Sequence, residues 1–210
     1  MKKTKVQTEF QMEYDLSTSD IATRNFLVLH GFYENAPIIK EKLFSLIPKN
    51  SNILIPNGCF PLPKRRSDGW ELFFSWYFYD EKKQEFYVEY DFPAGVLEKL
   101  CQQLLPSDLP LTIIGYSQGG YLSPFVAERI PSCDKVLSLG CSYRFELLKD
   151  SSHFKVEGIH GAQDDKVDPG NAEKSFHKLD KKIKGSFNLL NEVTHDLDSK
   201  FLEAISSKLK

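Results

Sequence analysis

The stretch LTIIGYSQGGYLSPFVAE, residues 111–128, decides how this chain is read. Leu111, Thr112, Ile113 and Ile114 form a short apolar and β-branched run that suits a strand covered on both faces. Gly115, Ser117 and Gly119 follow in G-x-S-x-G spacing, and an apolar pattern resumes behind Gly120. Strand, tight turn and helix in that order would lift a serine hydroxyl to the top of a sheet. It would also set the serine at a helix N-terminus, where developing negative charge is favoured. Gly115 and Gly119 are expected where the turn brings neighbouring backbone close to the serine, and Gly120 where the helix packs on the sheet. Pro124 lies inside that helix, where it removes a backbone donor and is expected to kink the axis.

Working outward, the same alternation recurs. Apolar runs at 25–31, 52–58, 135–142, 154–165 and 186–196 read as further buried strands. Amphipathic patterns at 37–47, 93–105, 171–183 and 198–210 read as helices between and after them, the first two opening on Pro37 and Pro93. Strand and helix in repetition predict an α/β fold with a mostly parallel central sheet and helices on both faces. The first 24 residues are expected to add one or two antiparallel edge strands. The 210 residues suit one domain.

One segment breaks the alternation. Residues 57–92 hold 12 of the 27 aromatic residues, behind a proline-rich loop. Two readings stand: ordinary packing, or the wall of an apolar pocket, because this loop leaves the carboxyl end of a parallel strand, where such sheets place ligands. In the second reading Phe73, Phe74, Trp76 and Tyr77 bind substrate.

Composition narrows the partners. The formal net charge is −2 and no long basic stretch interleaves with aromatics, so nucleic acid is not expected. No apolar run approaches the roughly 18 residues of a membrane span. The N-terminal lysines precede no apolar segment of signal-peptide type, so the expected location is cytoplasmic. Cys59, Cys101, Cys133 and Cys141 form no CxxC pair and no metal spacing; they read as reduced, mostly buried thiols, and neither metal nor cofactor is expected.

A serine hydroxyl needs a base, a group to orient that base, and donors for the oxyanion. On a sheet with such an elbow the chain order is serine, acid, histidine. His153, His160, His177 and His195 lie downstream of Ser117. His195 follows the last strand and precedes the last helix, where the chemistry requires it; His177 sits in an amphipathic helix, and His153 reads as structural. Either Asp164 or Asp165 supplies the acid, whereas Asp168 is expected to cap the helix that opens at Pro169. The backbone N–H of Gln118, next after the serine, is one oxyanion donor. The N–H of Phe32, freed by the turn at Gly31, is the other.

With LHGFYEN, ILIPNG, SWYFYD, GYSQGG, HGAQDDKV and VTHD in view, the chain resembles the α/β-hydrolase superfamily. More narrowly, it resembles the phospholipase/carboxylesterase group that includes acyl-protein thioesterases. The resemblance covers most of the chain. It implies Ser117 as nucleophile, His195 as base and acid, and Phe32 and Gln118 as oxyanion donors. Asp four residues and Val seven residues after His160 are typical of the group, which implies Asp164 as the triad acid. Implied too is cofactor-free hydrolysis of a carboxylic ester or thioester of a small or acyl substrate. Two features depart from the pattern: Phe32-Tyr33 replaces the last glycine of HGxG, and Pro124 falls inside the helix after the elbow. The large segment 64–92 points away from a protein-acyl substrate and toward a broader esterase. A non-catalytic hydrolase-fold binder and an acyltransferase on the same fold are the rival readings, and a homodimer stays open.

Overall fold

The computed structural model describes residues 9–80, 82–149 and 153–209. Among them, seven strands form one sheet in the order β1-β3-β2-β8-β9-β10-β11. β1 (Tyr14–Ser17) is the antiparallel edge strand expected near the N-terminus, paired with β3 (Ser51–Pro56). The rest run parallel: β2 (Arg24–Leu29), β8 (Leu111–Tyr116), β9 (Cys133–Leu139), β10 (Lys155–Gly161) and β11 (Lys184–Leu190).

Period-two alternation sends side chains from each strand into two separate cores. Leu27, Leu29, Leu54 and Ile113 pack beneath α2 (Asp91–Leu104), α3 (Gln118–Ala127) and α4 (Pro169–His177). Phe26, Val28, Ile53, Ile55 and Ile114 face α1 (Ala36–Leu43) and α5 (Ser199–Leu209), which contribute Ile39, Leu43, Phe201 and Ile205. Because both faces are covered, these strands read as continuous apolar runs rather than alternating ones. Phe201 is fully buried, and its truncation to Ala would cost about 3–5 kcal/mol.

Helix boundaries differ from expectation for local reasons. Helix α1 stops at Leu43, and Phe44–Leu46 tightens into a 3-10 turn. Asn35 caps its start by accepting from the Ile38 N–H at 3.1 Å. Asp168 caps α4 as expected, accepting from Asn171 N–H at 2.7 Å, and that helix ends at His177. Helix α3 continues through Pro124. The Gly120 carbonyl that the proline cannot bond accepts instead from Ser138 Oγ of β9 at 3.4 Å.

The segment between β3 and α2 folds as two hairpins. β4 (Phe60–Arg66) pairs with β5 (Gly69–Ser75), and β6 (Phe78–Asp80) pairs with β7 (Glu85–Val88). Bonds from Tyr33 N to Phe74 O (3.0 Å) and from Phe74 N to Glu34 O (2.8 Å) stitch the first hairpin to the loop after β2. No described helix is long and apolar enough to cross a membrane.

Strand order reverses at β2: β3 is added on one side and β8 on the other. The carboxyl ends flanking such a reversal leave a crevice where α/β sheets place ligands. Ser117, Phe32, Asp164 and His195 all follow the carboxyl ends of strands.

Candidate active site

Ser117 sits at φ 50°, ψ −116°, between the end of β8 and the first residue of α3. A non-glycine residue at positive φ is strained and persists only where its surroundings over-determine it. Here the Ser117 N–H donates to Leu139 O at 2.8 Å, and its carbonyl accepts from Gly120 N–H (2.8 Å) and Tyr121 N–H (3.1 Å). The flanking glycines are needed for space. A Cβ on Gly115 would lie 2.3 Å from the Gly119 carbonyl oxygen, and one on Gly119 would lie 2.6 Å from Leu29 O. Only hydrogen fits at either place, as the spacing of the motif suggested.

The His195 ring bridges two side chains. Its Nδ1 lies 2.7 Å from Asp164 Oδ2 and its Nε2 lies 3.0 Å from Ser117 Oγ. Asp164 is buried, and its other oxygen accepts from the N–H groups of Lys166 (2.8 Å) and Val167 (2.9 Å). The adjacent Asp165 points to solvent and pairs with Lys166 Nζ at 3.0 Å, which holds its carboxyl below the usual range. The loop carrying His195 is pinned by Tyr116 Oη, which donates to the His195 carbonyl at 3.0 Å. That loop also crosses directly over Gly161, where a Cβ would lie 2.3 Å from Thr194 O.

His160 plays a part that its position in the sequence did not reveal. The ring is buried and its Nε2 lies 3.0 Å from Val167 O and 3.1 Å from Asp164 Oδ2. Burial pushes its pKa down, so the ring is neutral, and the carbonyl requires the proton on Nε2. Asp164 Oδ2 thus lies between the His195 ring, which bonds it, and the His160 ring, which packs against it. His153 lies outside the site, with its Nε2 2.9 Å from Ala127 O, and His177 is exposed.

The loop after β2 is equally constrained. Gly31 N–H donates to Glu34 Oε2 at 2.8 Å, and Lys42 Nζ holds the other Glu34 oxygen at 2.9 Å. His30 is fully buried, and its Nδ1 lies 2.6 Å from Gly31 O. A carbonyl only accepts, so Nδ1 carries the proton, and the contact fixes the peptide unit whose other end is the Phe32 N–H. Tyr33 stands where the resembling pattern has glycine, and it adopts φ 61°. Stacking on Phe73 at 4.5 Å and its N–H bond to Phe74 O offset that strain. No described residue accepts from the backbone N–H of Phe32 or Gln118. The Gln118 side chain ties the elbow to the aromatic segment, accepting from Trp76 N–H at 2.9 Å and donating to Tyr77 O at 2.9 Å.

Ser117 opens into a cavity of about 850 Å³ lined by Phe32, Tyr77, Phe78, Tyr79, Tyr90, Gln118, Tyr121, Arg144 and Lys166, among others. That is within the usual range for a small-molecule site. Of the four aromatics expected to form its wall, only Tyr77 does so. Trp76 is fully buried behind the loop after β2, because its indole N–H needs an acceptor in apolar surroundings and finds His30 O at 2.9 Å. Phe73 is buried against Tyr33, whereas Phe74 projects to the other side of the hairpin and lines a separate cavity with Pro61 and Leu72. All four cysteines are buried free thiols, each pushed up to about 12 by burial.

Comparison with solved structures returns enzymes of the same fold. Esterase PE8 superposes with a TM-score of 0.72 at 18% identity, covering 95% of this chain and 98% of its own. The Bacillus cereus carboxylesterase gives 0.72 at 13% identity, covering 94% and 93%. Zea mays acyl-protein thioesterase 2 gives 0.68 at 16% identity, covering 96% and 98%. At such identities the likeness speaks for the α/β-hydrolase fold alone. A sequence search of curated proteins gave no match. The sequence profile of the serine hydrolase (FSH1) family, however, matches residues 19–174. With most of its length inside that match, the chain belongs to the serine hydrolase (FSH1) family.

Proposed function

We propose that this protein hydrolyses a carboxylic ester or thioester of a small or acyl substrate through an acyl-enzyme on Ser117. The observation that carries this reading is the single imidazole of His195 within hydrogen-bond reach of both Ser117 Oγ and Asp164 Oδ2. In the first half-reaction, Ser117 Oγ attacks the substrate carbonyl carbon while His195 Nε2 takes the hydroxyl proton. Asp164, bonded to Nδ1–H, holds the ring in the tautomer that leaves Nε2 free to accept, and it stabilises the imidazolium. The carbonyl oxygen becomes an oxyanion held by the N–H groups of Phe32 and Gln118. Losing one such donor typically costs about 2.7–4 kcal/mol of transition-state stabilisation. Collapse breaks the carbon–oxygen or carbon–sulfur bond, and the leaving alcohol or thiol takes the proton from His195. Water then repeats the sequence on the acyl-enzyme, releasing the acid and restoring Ser117.

The test is Ser117→Ala, assayed on p-nitrophenyl acetate and with a fluorophosphonate probe. This reading expects hydrolysis to fall by at least about a thousandfold and labelling to vanish while the fold persists. Full hydrolysis by the variant would end it.

A further inference from the structure

We propose that the cavity at Ser117 is built for a substrate carrying a carboxylate, and that Arg144 is the residue that selects it. This rests on the hydrolase reading above. It names a substrate class that the family match and the fold do not supply.

Arg144 lies in the loop after β9 and lines the same cavity as Ser117. The hairpin β6–β7, part of the aromatic segment, holds its head group. The guanidinium carbon sits 5.3 Å from the centre of the Tyr79 ring and 5.4 Å from that of Phe86. Its Nε–H donates to Glu146, which fixes the plane of the group. No described residue accepts from the two terminal nitrogens. The side chain is 29% exposed, partly covered by these neighbours. A planar cation clamped at one edge and against two rings has lost its freedom before any ligand arrives. Its free edge offers the parallel pair of N–H groups that matches a carboxylate.

The rest of the lining agrees. Arg144 and Lys166 carry positive charge and Glu146 negative, an excess of one positive charge in a wall otherwise built of aromatic, hydroxyl and amide side chains and Val167. Lys166 is a poorer candidate for the selecting group. It is 67% exposed and already pairs with Asp165. The Tyr79 and Phe86 rings shield part of the Arg144 charge from water, which strengthens an ion pair formed there. A neutral acyl chain would leave the free edge of Arg144 facing apolar atoms.

Paired substrates test the proposal, matched in skeleton and differing at the one position that bears the carboxylate. On the acyl side the pair is mono-p-nitrophenyl glutarate against p-nitrophenyl valerate. On the alcohol side it is 4-acetoxybenzoate against 4-acetoxybenzamide. The ratio of kcat/KM within each pair is measured for the natural chain, Arg144→Met, Arg144→Lys and Lys166→Met, with fluorophosphonate labelling of Ser117 as a check on each. The proposal expects the natural chain to prefer the carboxylate at least tenfold in one pair. Arg144→Met should abolish that preference through a raised KM for the charged substrate, Arg144→Lys should restore part of it, and Lys166→Met should leave most of it. Labelling of Ser117 without a carboxylate preference in either pair overturns this inference and leaves the hydrolase reading standing. So does a preference that survives Arg144→Met or disappears in Lys166→Met. Absence of both labelling and hydrolysis overturns the hydrolase reading itself.

Discussion

Two regions meet at the cavity, and they are held in opposite ways. On one side, the turns at 115–120, 160–167 and 193–195 are fixed through backbone. Carbonyls pass so close to Gly115, Gly119 and Gly161 that no Cβ fits, and peptide N–H groups hold Asp164 and Ser117. On the other side, beyond the two backbone bonds at Phe74, hairpins β4–β5 and β6–β7 rely on side chains: Tyr33 on Phe73, Phe60 against Phe78, and Arg144 over Tyr79 and Phe86. Much of the first hairpin is exposed, including Trp70 and Leu72. Backbone contacts permit almost no substitution, whereas side-chain contacts can be exchanged without moving the main chain. The proposed chemistry, which needs tenths of an ångström, would rest on the first kind of support, and the proposed selection among substrates, where variation is tolerable, on the second.

This contrast breaks if the glycines prove replaceable. Gly119→Ala pushes a methyl group to 2.6 Å from Leu29 O and 2.7 Å from His30 O, and backbone cannot yield as a flexible side chain can. The expected loss is about 3 kcal/mol or more, or roughly 6–12 °C in Tm by thermal unfolding, with activity lost as well.

Acid provides the next test, aimed at the buried loop after β2. Burial drives His30 down to about 4 from its ordinary 6.5. Unfolded chains take up that proton near pH 6.5, and the folded one refuses it until about pH 4. The unfolded state therefore binds more protons across this window, and stability falls as pH falls through it, by on the order of 3 kcal/mol in total. His160, also lowered by burial, adds to the same trend. Urea titrations between pH 7 and 4 should show this slope, and His30→Asn should flatten part of it.

At the small end stands Trp70→Ala. The side chain is 66% exposed on the outer hairpin, so the expected change in stability is within about 0.5 kcal/mol. A large loss there would show that the hairpin is held more firmly than its contacts imply.

The same division decided what the sequence disclosed. Backbone-built features leave compositional marks: glycines at fixed offsets around Ser117, a serine–acid–histidine order, Asp168 before Pro169. The parallel sheet was legible because strands covered on both faces are uninterrupted apolar runs. The hairpins were not, since Pro61 and Pro63 argue against a strand and exposed partners give no clean alternation. The Asp68-Gly69 pair, with Gly69 at φ 148°, was the available turn signal. Arg144 sits in no motif. Its meaning comes from Tyr79 and Phe86, more than 50 residues away in the chain, and no local pattern encodes such a contact. Trp76 misled for a related reason: aromatic density marks packing and pocket walls alike.

The central claim is that one imidazole couples a particular carboxylate to the serine, and the neighbouring aspartates allow a direct test. Asp164→Asn and Asp165→Asn, compared by kcat on the same p-nitrophenyl ester, differ by one residue in position and by nothing in chemistry. The account predicts a loss of roughly 10³–10⁴-fold for Asp164→Asn, because the amide favours the wrong tautomer of His195, and little change for Asp165→Asn. Equal effects, or a larger loss at Asp165, would contradict it.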